Sequence, residues 1–269
     1  MRYKTSKRTI KAMVYLTYSF IRRSVMIEKA LTISYSNASS QSGIQADLTI
    51  FQAFHVFGFT TITNLLLPNK SSNYPIQKYP IQPTIINQQL TTVLLGGPIN
   101  AVKIDILDVS DLHILTLISD YHEQFKHIVI DLFPLIHQNE TDALTINPFN
   151  MLRPLFLSTT CIILTPDIVS LMINQMNVSL EKHLLVAIHK LIEAGLTNII
   201  ILDQSLSELN FQLHRSNSQI LSRSLKKSDV PSEMSIRACF SAALTANLAK
   251  ELPIEKAFKQ AIDYIENDL

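Results

Sequence analysis

Glycine is scarce in this chain. Five occur in 269 residues (Gly43, Gly58, Gly96, Gly97 and Gly195), and the last 74 residues hold none. An average protein has about 7%. Chains that cradle phosphate on their backbone use glycine where that backbone must approach a ligand or take a positive φ. The shortage argues against ordinary nucleotide chemistry, and no GxGxxG, GxSxG or P-loop pattern occurs anywhere. Cysteine is equally sparse. Cys161 and Cys239 make neither a disulfide framework nor a metal spacing, so the expected setting is a reducing cytoplasm. Tryptophan is absent, and the eight histidines show no metal-like spacing with carboxylates. The longest apolar run near the start, Ala12–Ile21, falls short of the roughly 20 residues that a membrane span requires.

What is present is a globular composition: 47% hydrophobic and 17% charged residues, enough length for one large, well-buried α/β domain. The net charge of +1 hides an asymmetry. Residues 1–25 carry seven basic side chains and no acidic one, which leaves 16 basic against 22 acidic residues in the remainder. That acidic body offers no nucleic-acid footprint. Residues 1–25 are therefore read as a basic N-terminal extension and 26–269 as a single domain. The expectation is that Met26 is the native start, with an added targeting or membrane-facing helix as the alternative.

Hydrophobic patterning gives an alternation of strands and helices. Leu31–Tyr35 reads as a strand, followed by a polar loop, a helix opening near Gln45 and a second strand from Phe59. Tyr74–Pro83 reads as a proline-bearing linker and Thr84–Leu94 as a helix. A strand is expected at Ala101–Ile106, a helix from Ser110 to Phe125 and another strand at His127–Asp131. A helix near Phe149–Phe156 and the strand Cys161–Thr165 follow. Leu180–Ala194 carries an i, i+3, i+4 apolar stripe stopped by Gly195. Asn198–Leu202 is a further buried strand, with short β-like pieces at 210–214 and 219–223. The helices Ser232–Leu252 and Ile254–Asn267 close the chain. Short continuous apolar strands separated by helices predict a doubly wound, mainly parallel α/β sheet with helices on both faces.

The segment Ala30–Asn69, with SGIQADLTIFQAF and FGFTTITNLLL in an ungapped frame, resembles the opening of the hydroxymethylpyrimidine and phosphomethylpyrimidine kinases of thiamine synthesis and their pyridoxal kinase relatives. The resemblance extends over residues 29–268 and implies a ribokinase-like fold. It also implies ATP and magnesium as cofactors, and phosphorylation of a hydroxymethyl group on a pyrimidine or pyridine. A small-molecule ligand is then the expected partner, without nucleic acid or membrane, and a homodimer is compatible with it.

Carried over motif by motif, the resemblance lands on altered residues. The GTGC or GTGD turn, whose amides hold the phosphoryl charge and whose last residue is the base, falls on Ser235, Ile236, Arg237 and Ala238. A helix N-terminus supplies the aimed N–H donors that such a turn needs, but Ala238 accepts no proton. Cys239 is the alternative base one position on, against a buried structural thiol. The TPN-x-x-E magnesium motif falls on Thr165-Pro166-Asp167-Ile168-Val169-Ser170; Asp167 is either a weak metal ligand or a helix N-cap. The KGG nucleotide segment is Leu202, Asp203 and Gln204. Of DPVM only Asp131 persists, as a metal or phosphate candidate against a loop cap. On the substrate side the pocket maps to Asp47, Leu66, Pro68 and Asp105. Pro68 replaces the pyrimidine-reading glutamine, Asp105 replaces a glycine, and Asp47 serves equally well as a helix-dipole residue. Two readings stay open: a divergent kinase with impaired activity, or a catalytically inactive member that binds a small molecule or a protein.

Overall fold

The computed structural model describes residues 28–68, 76–107, 109–132, 152–169, 184–205, 207–227 and 235–267. Its centre is a nine-stranded sheet of order β3-β2-β1-β4-β5-β6-β7-β8-β9. The strands are β1 (Lys29–Asn37), β2 (Phe57–Pro68), β3 (Ile76–Pro80), β4 (Ile99–Ile106), β5 (Phe125–Leu132), β6 (Cys161–Leu164), β7 (Asn198–Gln204), β8 (Glu208–Arg215) and β9 (Ile220–Lys226). The run from β2 to β7 is parallel throughout. Antiparallel β3 closes one edge and the β8–β9 hairpin the other.

Two apolar layers cover the sheet. Leu31, Ile33, Val102, Ile104, Ile128 and Ile130 pack toward α2 (Pro83–Leu94), α3 (His113–Ser119) and α4 (Leu184–Glu193). Ala30, Ala101, Val129, Cys161 and Ile200 pack on the other face, toward α1 (Ile44–Ala53), α5 (Ile236–Ala249) and α6 (Ile254–Asn267). Helix α5 is the spine of that layer: every residue from Arg237 to Ala249 is buried. Helix α6 alternates buried Ala257, Phe258, Ala261, Ile262 and Ile265 with an exposed charged stripe, as a helix half-covering a core must.

The mainly parallel α/β architecture expected from the alternation is therefore observed, and three local expectations are corrected. The segment 74–83 is not only a linker: Ile76–Pro80 pairs antiparallel with Asn64–Pro68. Pro80, the last residue of this strand, suits an edge position, where a proline's missing N–H is tolerated. The single helix expected over 110–125 is broken into a 3₁₀ turn (Val109–Leu112), α3, and a second 3₁₀ turn (His122–Gln124). Helix α5 starts at Ile236 rather than Ser232, because Ser235 has extended backbone (φ −61°, ψ 115°) and caps the helix through its hydroxyl. Of the helix expected near 149–156, the described part is a 3₁₀ turn at Arg153–Leu155, and residues 149–151 lie outside the described residues. The N-terminal extension, Phe133, Pro134 and Ser170 also lie outside them.

One free edge has an unusual cap. β3 covers only the carboxyl half of β2, and further back Gln89 of α2 takes its place. The Gln89 side-chain amide donates to the Ile62 carbonyl (3.1 Å) and accepts from the Ile62 N–H (2.9 Å), as a neighbouring strand would.

Candidate active site

The direction of chain crossing reverses at β1, whose neighbours are β2 on one side and β4 on the other. In open α/β sheets the crevice outside the carboxyl ends of such strands is where ligands bind. On the α1/α5 face the strands change character along their length. Ala30, Ala101 and Val129 at the amino ends are apolar, and Thr32 and Ser34 (β1), Lys103 and Asp105 (β4) and Asp131 (β5) toward the carboxyl ends are polar. Register brings them into rows, with Thr32 beside Lys103 and Asp105 beside Asp131.

All of these side chains are buried, and so is Asp47 in the first turn of α1. Lys103 Nζ donates to both oxygens of Asp47 (2.8 and 2.9 Å) and to Asp105 Oδ2 (2.7 Å). Thr32 Oγ1 donates to Asp47 Oδ2 (2.5 Å) and Ser34 Oγ to Asp105 Oδ2 (2.6 Å). Across the row, Arg237 Nε donates to Asp131 Oδ1 (2.7 Å), and its Nη2 reaches the carbonyls of Leu132 (2.5 Å) and Ile163 (3.2 Å). Arg237 is the second residue of α5, so the pair staples that helix N-terminus to the ends of β5 and β6.

Three buried carboxylates thus face two cations. Burial pushes the Asp47 carboxyl up to about 7, although Lys103 pulls it down; Asp105 is raised for the same reason, burial outweighing Lys103. Burial alone would lower the Lys103 ammonium, but Asp105 and Asp47, with Asp131 behind them, reverse this and hold it above the ordinary lysine value. A cluster with one carboxylate in excess relieves its charge by holding a proton.

Little room is left. The cavity lined by Tyr35, Lys103, Asp105, Asp131, Ser235, Arg237 and Ala238 has a volume of about 10 Å³, room for about one water. The loop after β1 closes it from outside. Gly43 has φ +75°, and Gln45 Nε2 bonds back to Ser36 Oγ (2.7 Å) while Asn37 Nδ2 bonds Ser42 Oγ (3.1 Å). The Gln41 carbonyl accepts from the Ser235 N–H (2.7 Å), which ties this loop to the start of α5.

Of the residues singled out from sequence, Asp47, Asp105, Asp131, Arg237 and Ala238 converge here, with Ser235 at the helix cap. Ile236 is the first residue of α5, with its side chain against the apolar α1/α5 layer. Leu66 and Pro68 lie at the carboxyl end of β2, where Leu66 is beside Asn37 of β1 and the two pair with Lys78 and Ile76 of the edge strand. Cys239 is fully buried in the α1/α5 apolar layer, and burial pushes its thiol up to about 12. Asp167 is exposed inside the helical turn 166–169. The capping role belongs to Thr165, whose hydroxyl accepts from the Ile168 N–H (3.4 Å), because the turn begins two residues earlier than a cap at Asp167 requires. Asp203 and Gln204 are exposed at the end of β7. Sequence reasoning missed Lys103, Thr32, Ser34 and Tyr35 as site residues. The available signal was polar residues two apart inside apolar strands, which puts both on one face.

This arrangement is set in a frame shared with known proteins. Residues 37–269 match the phosphomethylpyrimidine kinase family. The chain belongs to that family. The hydroxymethylpyrimidine/phosphomethylpyrimidine kinase of Haemophilus influenzae is 27% identical over 255 residues, covering 89% of this chain and 90% of the relative. The pyridoxine kinase of Bacillus subtilis is 35% identical over 105 residues. The matched segments of this and the other pyridoxine kinases span only 30–39% of those relatives' own length. Among solved structures, an ADP complex of Bacillus subtilis pyridoxal kinase superposes with a TM-score of 0.72 at 26% identity, covering 89% of this chain and 90% of that one. The ribokinase-like fold follows.

Family membership brings magnesium into question at Asp131 and Asp167. The Asp131 carboxylate and the two neighbouring strand-end carbonyls already hold the Arg237 guanidinium at hydrogen-bond distance. Asp167 is exposed, and among the described residues no group of three or more His, Cys, Asp or Glu side chains could hold a metal ion. These residues do not fit the ion.

Proposed function

We propose that this chain is a phosphomethylpyrimidine kinase- and pyridoxal kinase-like protein whose phosphoryl transfer to a hydroxymethyl group is strongly impaired. The observation that carries this reading is the filled crevice. Lys103, Asp105 and Arg237 occupy the ground between the strand ends and the α5 N-terminus, leaving a cavity of about 10 Å³ between them, smaller than a pyrimidine or pyridine ring.

The chemistry points the same way. In-line transfer needs aimed amide donors for the phosphoryl oxygens and a base beside the attacking hydroxyl. The turn that would supply them carries Ile236 and Arg237 where glycine lets backbone and ligand meet, and Ala238 has no acceptor. Loss of one such donor costs about 10²–10³ in rate, and of a general base about 10²–10⁴. The two act together, so a fall of at least about 10²-fold is expected even when they are not additive. Family membership and the ADP complex of the pyridoxal kinase neighbour support a nucleotide and a small heteroaromatic alcohol as the ligand classes. A cytoplasmic setting is part of the same proposal. In its limiting form the chain is a non-catalytic binding member.

The test is calorimetry of ATP–magnesium binding to the purified full chain, with an ADP-release assay on hydroxymethylpyrimidine and on pyridoxal. Turnover near the ordinary kinase range of about 1–100 s⁻¹ with either alcohol would overturn the proposal. Residual or absent turnover is the expected result.

A further inference from the structure

We infer that Arg237 is a resident, chain-tethered cation occupying an oxygen cradle that would otherwise take a metal ion, and that this centre is metal-independent for that reason.

Three oxygens from two strands converge on the guanidinium: Asp131 Oδ1 at 2.7 Å from Nε, the Leu132 carbonyl at 2.5 Å and the Ile163 carbonyl at 3.2 Å from Nη2. One carboxylate and two backbone carbonyls form the donor set that hard cations select. They are fixed by the sheet rather than by flexible loops, because β5 and β6 pair at Asp131 and Ile163. Both side chains of the ion pair are nearly inaccessible, Arg237 at 5% and Asp131 at 6%. An uncompensated carboxylate at that depth would be costly, so the place calls for a positive charge whatever its source. A planar guanidinium supplies several donors at a fixed geometry and stays charged when buried.

Arg237 reaches this position because Ser235 starts α5 directly above the strand ends, so a side chain on the first turn points down into the cradle. Lys103 and Asp105 meet the remaining charge from the next strand, and Asp47 faces Lys103 from α1. The cradle and its occupant are therefore one unit within the cluster. The inference holds whichever ligand the crevice admits.

The test is thermal unfolding of the full chain, wild type and Arg237→Ala, titrated with magnesium, manganese, calcium or potassium chloride, with sodium chloride as the ionic-strength control. Wild type is expected to show no cation-specific shift. Arg237→Ala is expected to melt lower and to regain several degrees in a saturable, cation-specific manner, as ligand linkage requires. Adding Asp131→Asn should abolish that gain. Arg237→Met, which keeps the stem and drops the charge, is read in the same way if the alanine variant does not fold. Three results would overturn the inference: a specific magnesium response of the wild type equal to that of the variant, a folded Arg237→Ala or Arg237→Met indifferent to all four cations, or failure of both variants to fold in the presence of any of them.

Discussion

Replacement of Lys103 by methionine tests the buried cluster most directly, because the side-chain length is kept and only the charge and its donors go. In the structure the ammonium makes three hydrogen bonds of 2.7–2.9 Å to Asp47 and Asp105, and it is fully buried. Methionine leaves two buried carboxyls without the cation that they share. Removing one member of a buried ion pair costs about 3–5 kcal/mol, because the partner is left charged and unpaired. For a domain of this size that is roughly 6–20 °C in Tm. With no tryptophan in the chain, urea unfolding is best followed by far-UV circular dichroism. The midpoint should fall with the slope against denaturant unchanged. The deficit should also depend on pH. Without the ammonium, Asp47 and Asp105 take up protons more readily, so the loss is largest above neutrality and shrinks as both carboxyls become neutral in acid. A loss below about 1 kcal/mol at pH 7.5 would mean that the cluster is wet and exchangeable. A deficit independent of pH would equally refute the charge argument.

The wild type has its own pH signature. Asp47 titrates at about 7 when folded against 3.8 when free, with burial as the main cause, so the folded chain keeps a proton that the unfolded chain releases. The resulting stability is fully present below pH 4 and is lost as pH rises through 7. Unfolding free energy should therefore drop by about 1–3 kcal/mol between pH 5 and 8, a slope that Asp47→Asn should flatten; a wild-type profile already flat there would count against the shared proton. Gly43→Ala tests the loop that seals the crevice. A Cβ there would lie 2.4 Å from the Tyr35 carbonyl oxygen at φ +75°, so a loss of at least about 2 kcal/mol is expected on chemical denaturation, and an unchanged midpoint would show that the loop adapts freely.

Much of the sheet was readable in advance because its strands are buried on both faces and so appear as unbroken apolar runs, as in Ile128–Ile130, Ile162–Leu164 and Ile199–Leu202. The edge strand was not. Ile76–Pro80 owes its conformation to pairing with β2, a tertiary contact that local sequence does not encode. The site was legible one residue at a time. Asp47, Asp105, Asp131 and Arg237 were each marked as departures or survivors of a motif, but nothing in a linear reading says which charge answers which. That pairing depends on register: Asp105 beside Asp131, Thr32 beside Lys103. Lys103 was read only as the start of the strand end Lys103-Ile104-Asp105-Ile106 and was given no role in the site. A lysine inside such a strand already required a buried anion, and its neighbour two residues on was one.

The matching of these charges bears on how the crevice came to be closed. A site that merely decays accumulates side chains without regard to one another, and buried charges without partners are among the costliest results. Here Asp105 sits where it answers Lys103, and Arg237 sits where it answers Asp131. With Asp47 these residues balance to within one charge, which a proton supplies. Once assembled, such a cluster is hard to leave by single steps, since removing any one member strands another at a cost of several kcal/mol. Opening the cluster would require Asp105 and Arg237 to go together with a new counter-charge for Lys103 and Asp131. The Asp131→Asn/Arg237→Met double variant, which removes both charges of one buried pair, should therefore be less destabilised than the sum of its two single variants, because the cluster stores its stability in pairs rather than in residues.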